Sequence, residues 1–267
     1  MQNILLRDLR IRRNSLLIFI GILLLLIILY VSIFPAIQAQ AAKFSEIIKS
    51  LGSVYKAVGI DQQITFKTLS GYMSTELFGF TWPILTPILF IGLASSLVGG
   101  EIENKTIGSL LLLPVKRSSI MLSKFSTGLI VAIFYSLTSS FGIVLVAKIF
   151  NISINIASYL DLFIICLLFS YAIFCFTILV SSILINKAKV YGVIGGMLLI
   201  MYVLNVISGL KASLINLKYV SIFHYFNGQG ALVNSHLDNL ALLVLGIIIV
   251  LSFILSLVIF SKRDLII

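Results

Sequence analysis

The sequence predicts an all-α, polytopic membrane protein with six transmembrane helices and both termini in the cytoplasm. The chain of 267 residues is 60% hydrophobic and 10% charged, whereas soluble domains carry about 25% charged residues. Six charge-free stretches are long enough to cross about 30 Å of hydrocarbon as helices. They lack the alternating polarity of membrane barrel strands. The predicted spans are 14–34, 80–98, 125–147, 162–185, 190–210 and 239–260.

The basic residues orient these spans. Lys and Arg gather at the cytoplasmic flanks of membrane helices, where anionic headgroups attract them. With both termini inside, the inner segments hold 12 basic residues and the longer outer segments hold 7. The same flanks account for the formal net charge of +10. Because no basic run interleaved with aromatics lies elsewhere, no nucleic-acid partner is expected.

Two segments outside the spans have the periodicity of amphipathic helices. Residues 1–13 place apolar side chains on one side and arginines on another, which predicts a cytoplasmic surface helix. The outer loop 35–79 carries apolar residues at helical spacing over 43–58, which predicts an amphipathic helix there. The first apolar run is too long for a cleavable signal peptide and lacks a small-residue cleavage site, so we expect a retained span.

The residue types inside the spans argue against membrane-embedded chemistry. The six spans contain no Asp, Glu, Lys, Arg or His, although ion-coupled carriers and metal-dependent enzymes need such groups. Cys166 and Cys175 would lie about 13 Å apart along one helix, beyond disulfide reach. The sequence contains no GxxxxGK[ST] phosphate loop. We therefore predict no catalytic, metal-binding or cofactor-binding residue on this chain, and an energy source on another protein if it transports.

Residues 99–124 form an unusually polar detour between the second and third spans. Glu101 and Glu103 suit the positive end of a short helix, and Pro114 would end that helix. The apolar residues between the acids and Pro114 give the segment one apolar side. This pattern predicts a cytoplasmic docking element for a partner protein. The alternative is an ordinary charged loop that follows the positive-inside rule.

The run "EIENKTIGSLLLLPVKR" resembles the cytoplasmic elbow of ABC-2 type exporter permeases. That family shows acids, a Gly-Thr-Leu-like step, a Leu pair, Pro, Arg and a later Lys. Lys105 stands where the glycine is usual. The matching residues are Thr106, Leu110, Leu111, Pro114, Arg117 and Lys124.

Two further stretches resemble the same family. "KYVSIFHYFN" (218–227) is similar to its outer Ser-Pro-Phe-His-Tyr-like segment, with Ile222 in place of the proline. "FSKRDL" (260–265) is similar to its closing Phe-x-x-Arg-Asp-Leu. The resemblance therefore covers the whole chain as a single transmembrane domain, residues 1–267, with a coupling elbow over 99–124.

The resemblance implies a transport mechanism with several subunits. Two permease chains, identical or different, would pair with two ATP-binding subunits that hold ATP and Mg. Closure of those subunits would push the elbow and rock the spans. The implied ATPase-docking residues are Glu101, Glu103, Thr106, Leu110, Leu111, Pro114 and Arg117. The implied outer-gate residues are Phe223, His224, Tyr225 and Phe226.

Two placements remain open at this stage. The outer segment 211–238 is compatible with a re-entrant element that closes the exit, and equally with an interfacial aromatic belt. The GxxxG formed by Gly192 and Gly196 fits a dimer contact or close packing within the bundle.

The predicted function is that of the permease subunit of an ATP-driven exporter in a prokaryotic plasma membrane. The uncharged spans suit an amphipathic cargo such as a peptide, a lipid or a drug. The alternative is a non-transporting membrane scaffold or immunity protein that sequesters a toxic peptide.

Overall fold

A computed structural model describes residues 2–41, 66–104, 116–184, 186–210 and 212–262. In these ranges the chain is helical and contains no strand, and six helical stretches are long and apolar enough to cross a membrane. Both findings confirm the predicted all-α class with six membrane-spanning helices, while the cytoplasmic side of the termini and of the elbow stays a prediction. The α-helices are α1 (Gln2–Ala39), α2 (Leu69–Glu76), α3 (Trp82–Leu97), α4 (Gly99–Glu103), α5 (Arg117–Ile149), α6 (Ile156–Ile183), α7 (Lys187–Leu210), α8 (Gly228–Asn234) and α9 (Asn239–Lys262).

The N-terminal helix differs from the prediction. We expected a separate surface helix over 1–13, but α1 runs without interruption through Gln2–Ala39. Residues 2–13 are therefore the first turns of the first long helix. The sequence is compatible with this continuity because no glycine or proline separates the arginines from the apolar run.

The second long helix begins earlier than the predicted span 80–98. It starts at Leu69, where the Thr68 side chain accepts a hydrogen bond from the Gly71 N–H. A π-helical turn, Leu77–Thr81, then connects α2 to α3. The last part of the predicted outer loop 35–79 is therefore helical.

Several predictions fall outside the described residues. They are the amphipathic helix over 43–58, the elbow positions Thr106, Leu110, Leu111 and Pro114, and the second half (263–265) of the closing "FSKRDL" stretch.

Helix α6 lies at the centre of the bundle, in contact with α3, α5, α8 and α9. In the most apolar 18-residue stretch of α6, 56% of the residues are buried. In the corresponding stretches of α1, α7 and α9, 17% of the residues are buried. The three less buried helices thus present apolar side chains outward. This is the distribution expected of a bundle that faces lipid. Cys166 and Cys175 are free and buried in α6, consistent with packing roles.

Trp82 organises the aromatic core. Its ring stacks on Phe226 with the centroids 4.6 Å apart and on Tyr135 with the centroids 5.8 Å apart. Its indole N–H donates to the Ser139 hydroxyl at 2.9 Å. Ser139 therefore joins two helices, in agreement with a packing role for serines in the spans.

A substitution at Gly128 is expected to destabilise this core. A Cβ atom at Gly128 would collide with the ring of Phe174, which is fully buried between helices. We expect Gly128→Ala to lower the free energy of unfolding by about 1–3 kcal/mol, the usual result of overpacking. Thermal unfolding in detergent measures the effect. Gly246→Ala is the matched control because its Cβ would meet no neighbouring atom within 4 Å. Equal melting temperatures for the two variants would contradict the prediction.

Candidate functional site

Four charged side chains from three helices meet at one end of the bundle. This charge cluster consists of Arg7 and Asp8 from α1, Glu101 from α4 and Lys124 from α5. The Lys124 ammonium lies 2.8 Å from an Asp8 carboxylate oxygen and 2.8 Å from a Glu101 oxygen. Arg7 pairs with Asp8 at 2.8 Å and also with Glu101. The cluster thus connects the beginning of the first span to both ends of the elbow.

The charge cluster is buried and electrically balanced. The side chains of Asp8 and Lys124 are 0% and 2% exposed. Each carboxylate contacts two cations, and the four formal charges sum to zero. Pairing of this kind is what allows ionised groups to remain away from water. Removal of one member would leave an uncompensated buried charge.

Local sequence places each member on an inward-facing stripe. Asp8 follows the buried Ile4 by one helical turn, and Lys124 follows the buried Ile120 by one turn. Glu101 is brought inward by the glycine pair before it. The Gly99 N–H donates to the Ser181 hydroxyl at 2.9 Å, and a Cβ at Gly99 would lie 3.2 Å from that oxygen. The small residue therefore permits the close approach of α4 to α6.

Glu103 connects the elbow to a further span. Its carboxylate accepts a hydrogen bond from the backbone N–H of Lys187, the first residue of α7, at 3.1 Å. An acidic group is favourable there because the N-terminus of a helix carries partial positive charge. The described part of the elbow therefore contacts α1, α5 and α7 through polar side chains.

The structure places the predicted elbow residues in different environments. Glu101 is 7% exposed and belongs to the charge cluster, so it lies inside the bundle. Glu103 is exposed, and Arg117 is the first residue of α5 and is half-buried. Helix α4 begins at Gly99, before the predicted helix start. The docking roles of these residues remain predictions.

Sequence reasoning missed Arg7 and Asp8 as members of a site. Both lie in "NILLRDLRIRR", which we interpreted as amphipathic surface helix. Asp8 is the lone acidic residue in that run, and this was the available signal. A single carboxylate among arginines next to an apolar span needs a partner, because burial of an unpaired charge is unfavourable.

The outer segment packs into the bundle through its predicted gate residues. Phe226 lies 4.8 Å from Phe169, centroid to centroid, and Phe223 lies 5.6 Å from the same ring. Phe223, Tyr225 and Phe226 are each less than 10% exposed. The Tyr225 hydroxyl donates to the backbone oxygen of Tyr219 at 3.0 Å. These contacts fix the segment to the helical bundle, and its re-entrant or interfacial placement in the membrane stays a prediction.

His224 is the histidine among the predicted gate residues. It is half-buried and contacts the rings of Tyr219 and Tyr225 edge to face. Partial burial lowers the pKa of His224, and the positive charge of Lys218 adds to the effect, while Asp238 opposes it. His224 is therefore neutral at pH 7.

Six apolar helical stretches with a charged elbow between the second and third define a multi-pass membrane protein. The family model described as "ABC-2 family transporter protein" matches residues 2–265. The chain therefore belongs to the ABC-2 transporter family and is a permease of the ABC-2 type, as the elbow resemblance predicted. No curated protein matches the sequence.

Proposed function

We propose that the chain is the membrane subunit of an ATP-driven exporter that moves an amphipathic cargo. A separate ATP-binding protein, present in two copies, supplies the energy. The complex lies in a prokaryotic plasma membrane, with both termini and the elbow in the cytoplasm. Family membership supports the transport role, since ABC-2 permeases generally work with an ATP-binding subunit.

The charge cluster is the observation that carries this proposal. Glu101 and Lys124 stand near the two ends of the elbow 99–124, and they are ion-paired with each other at 2.8 Å. Both also pair with residues of α1. A force on the elbow would therefore reach the first and third spans without passing through a flexible loop. Glu103 extends the connection to α7 through the Lys187 N–H.

The elbow residues are proposed to divide into a positioning residue and a docking set. Glu101 is a positioning residue, because it is buried and its carboxylate is occupied by Arg7 and Lys124. Surface docking to the ATP-binding subunit is then left to the apolar residues between Lys105 and Lys116, above all Leu110 and Leu111. Their sequence suits insertion of a short apolar element into a cleft.

A second permease chain, identical or homologous, completes the proposed path. Side chains built at Gly192 and Gly196 would meet no atom of the described chain within 4 Å beyond their own helix. Among the described residues, the GxxxG of α7 therefore has no packing partner on another helix. Small residues spaced in this way allow two membrane helices to approach closely, which supports pairing of α7 with a second copy.

Purification of the tagged chain from its native membrane in mild detergent tests the proposal. We expect an ATP-binding protein to co-elute in equal amount, with ATPase activity. Leu110→Asp is expected to release it, because a charged group would enter the apolar cleft contact. Leu110→Met, which keeps the apolar character, is the matched control and should retain the partner.

The scaffold or immunity alternative gives a different result. A chain that elutes alone, folded and without ATPase activity, would contradict the exporter proposal. So would retention of the partner in both Leu110 variants with unchanged transport. Sequestration of a toxic peptide by the isolated chain would then favour the alternative function.

A further inference from the structure

A groove with a pronounced polarity gradient runs between α1, α3 and α7. It has a volume of about 550 Å³, which is typical of small-molecule sites. One end is lined by Arg7, Arg12 and Lys187, and the other by Phe19, Ile88 and Leu89. We call it the basic groove. Its polarity changes over about 10 Å along α1, the rise of the seven residues from Arg12 to Phe19.

The basic end of the groove has positive charge that the protein does not neutralise. Glu101 also lines it, but its carboxylate is already paired with Arg7 and Lys124 in the charge cluster. In the described part of the chain, Arg12 and Lys187 form no salt bridge. The Glu103 carboxylate lies at the backbone N–H of Lys187, so with this acid counted one positive charge is left over at this end of the groove.

Arg12 is held in a fixed position with donors to spare. Its Nε donates to the Ser96 hydroxyl at 2.9 Å, and its Nη2 donates to the Ser96 carbonyl oxygen at 2.7 Å. Its remaining nitrogen, Nη1, is buried and has no hydrogen-bond partner among the described residues. The residue as a whole is half-buried and lines the groove, and no carboxylate forms a salt bridge with it among the described residues. An anionic oxygen is the acceptor that would satisfy both the charge and the donors of this guanidinium.

Lys187 lines the same groove as Arg12. Its side-chain stem crosses Gly100, with its Cδ 3.9 Å from the position of a Cβ there. The residue is exposed, so its ammonium is available to a ligand. Arginine and lysine together suit a phosphate group, the former as a planar donor and the latter as a point charge.

We propose that the basic groove binds the phosphate headgroup of an anionic membrane phospholipid, with an acyl chain along Phe19, Ile88 and Leu89. The apolar end contains exposed Ile88, so the groove is open where a lipid chain would enter from the bilayer. Basic pockets between membrane helices near the cytoplasmic side bind such headgroups. The site is a property of this chain and holds whether or not the lipid is transported.

Binding of short-chain lipids to the purified full-length chain in nonionic detergent tests the inference. The probes are dihexanoyl phosphatidylglycerol, dihexanoyl phosphatidylcholine and inorganic phosphate, each titrated calorimetrically. We expect phosphatidylglycerol to bind about tenfold more tightly than phosphatidylcholine, since the excess positive charge of Arg12 and Lys187 faces its net negative charge. Inorganic phosphate should bind far more weakly because it makes no contact with the apolar end.

Variants locate the binding in the groove. Lys187→Gln is expected to weaken phosphatidylglycerol binding about fivefold. Lys189→Gln is the matched control, because Lys189 is exposed on the same helix and does not line the groove; it should leave binding unchanged. Arg12→Gln should weaken binding further. If that variant fails to fold, Lys187→Gln still decides the question.

Three outcomes would overturn the proposal. Equal affinity for the two lipids would show that the headgroup charge is not recognised. Equal losses for Lys187→Gln and Lys189→Gln would indicate general surface attraction. Phosphate binding as tight as that of the lipid, and equally dependent on Lys187, would assign the site to a soluble phosphate compound. None of these outcomes alters the co-elution experiment, so failure here is distinct from failure of the exporter proposal.

Discussion

Replacement of Lys124 by glutamine is expected to destabilise the bundle by roughly 3–5 kcal/mol, the range found when one partner of a buried ion pair is removed. Lys124 is the residue that contacts both carboxylates of the charge cluster from α5. Without its ammonium, Asp8 and Glu101 would share Arg7 alone, with one negative charge in excess. Thermal unfolding of the purified chain in detergent measures the loss.

Two further variants distinguish charge balance from loss of a long side chain. Lys148→Gln removes the same group from the exposed last turn of the same helix, and we expect a change below about 1 kcal/mol. Asp8→Asn combined with Lys124→Gln restores neutrality, so the double variant should be more stable than Lys124→Gln alone. A double variant less stable than either single one would contradict the balance argument.

The double variant Asp8→Asn with Lys124→Gln should also separate ATP hydrolysis from movement of the spans. If the charge cluster transmits the motion of the elbow, Asp8→Asn with Lys124→Gln restores stability without restoring the ionic connection. We therefore expect a folded complex whose ATPase persists while transport falls. Transport equal to that of the native complex would indicate that the charge cluster serves folding alone.

Truncation of Phe226 is the second large effect. Its ring stacks on Trp82 at 4.6 Å and packs against Phe169 at 4.8 Å. We expect Phe226→Ala to cost about 3–5 kcal/mol, as large aromatic truncations in cores do. Because the lost contacts are those that hold the outer segment to α3 and α6, the main result should be local release of that segment. Amide hydrogen exchange over 212–234 is the direct measurement.

Phe150→Ala is the control for that experiment. Phe150 is 44% exposed at the end of α5, so the same truncation removes few buried contacts. We expect its exchange pattern and its melting temperature to remain close to those of the unaltered chain. Unchanged protection over 212–234 in Phe226→Ala would contradict the view that this stack closes the outer end of the bundle.

The span count was predictable because a membrane crossing needs only length and the absence of charge. The residue at which the second long helix begins was harder to predict from hydropathy. Ser74, Thr75 and Glu76 make the stretch before residue 80 look like loop. In the structure the Ser74 and Thr75 hydroxyls donate to the Gly71 carbonyl oxygen. Polar side chains that bond to their own helix can be buried with little penalty, and hydropathy does not register this.

The charge cluster was less predictable for a different reason. Lys124 was noticed because it matches the family pattern, and Glu101 because an acid suits the beginning of a helix. Their contact with Asp8 depends on which faces of three helices turn toward one another. Asp8 and Lys124 are separated by 116 positions. Periodicity describes one helix at a time, so a contact over that separation is specified by packing of the whole bundle. The gate role of the aromatics at 223–226 stays a prediction, and the stacking of Phe226 on Trp82 could be seen only in the fold.

The charge cluster also sets an order of events during synthesis. When α1 leaves the ribosome and enters the bilayer, Asp8 has Arg7 beside it, but Glu101 and Lys124 have not yet been made. Membrane chains grow from the N-terminus. The Asp8 carboxylate therefore gains Lys124 as its second cation only after the beginning of the third span has been made. The end of the bundle that carries the elbow is thus completed late, and a chain cut short before α5 would lack the ion pair between Asp8 and Lys124.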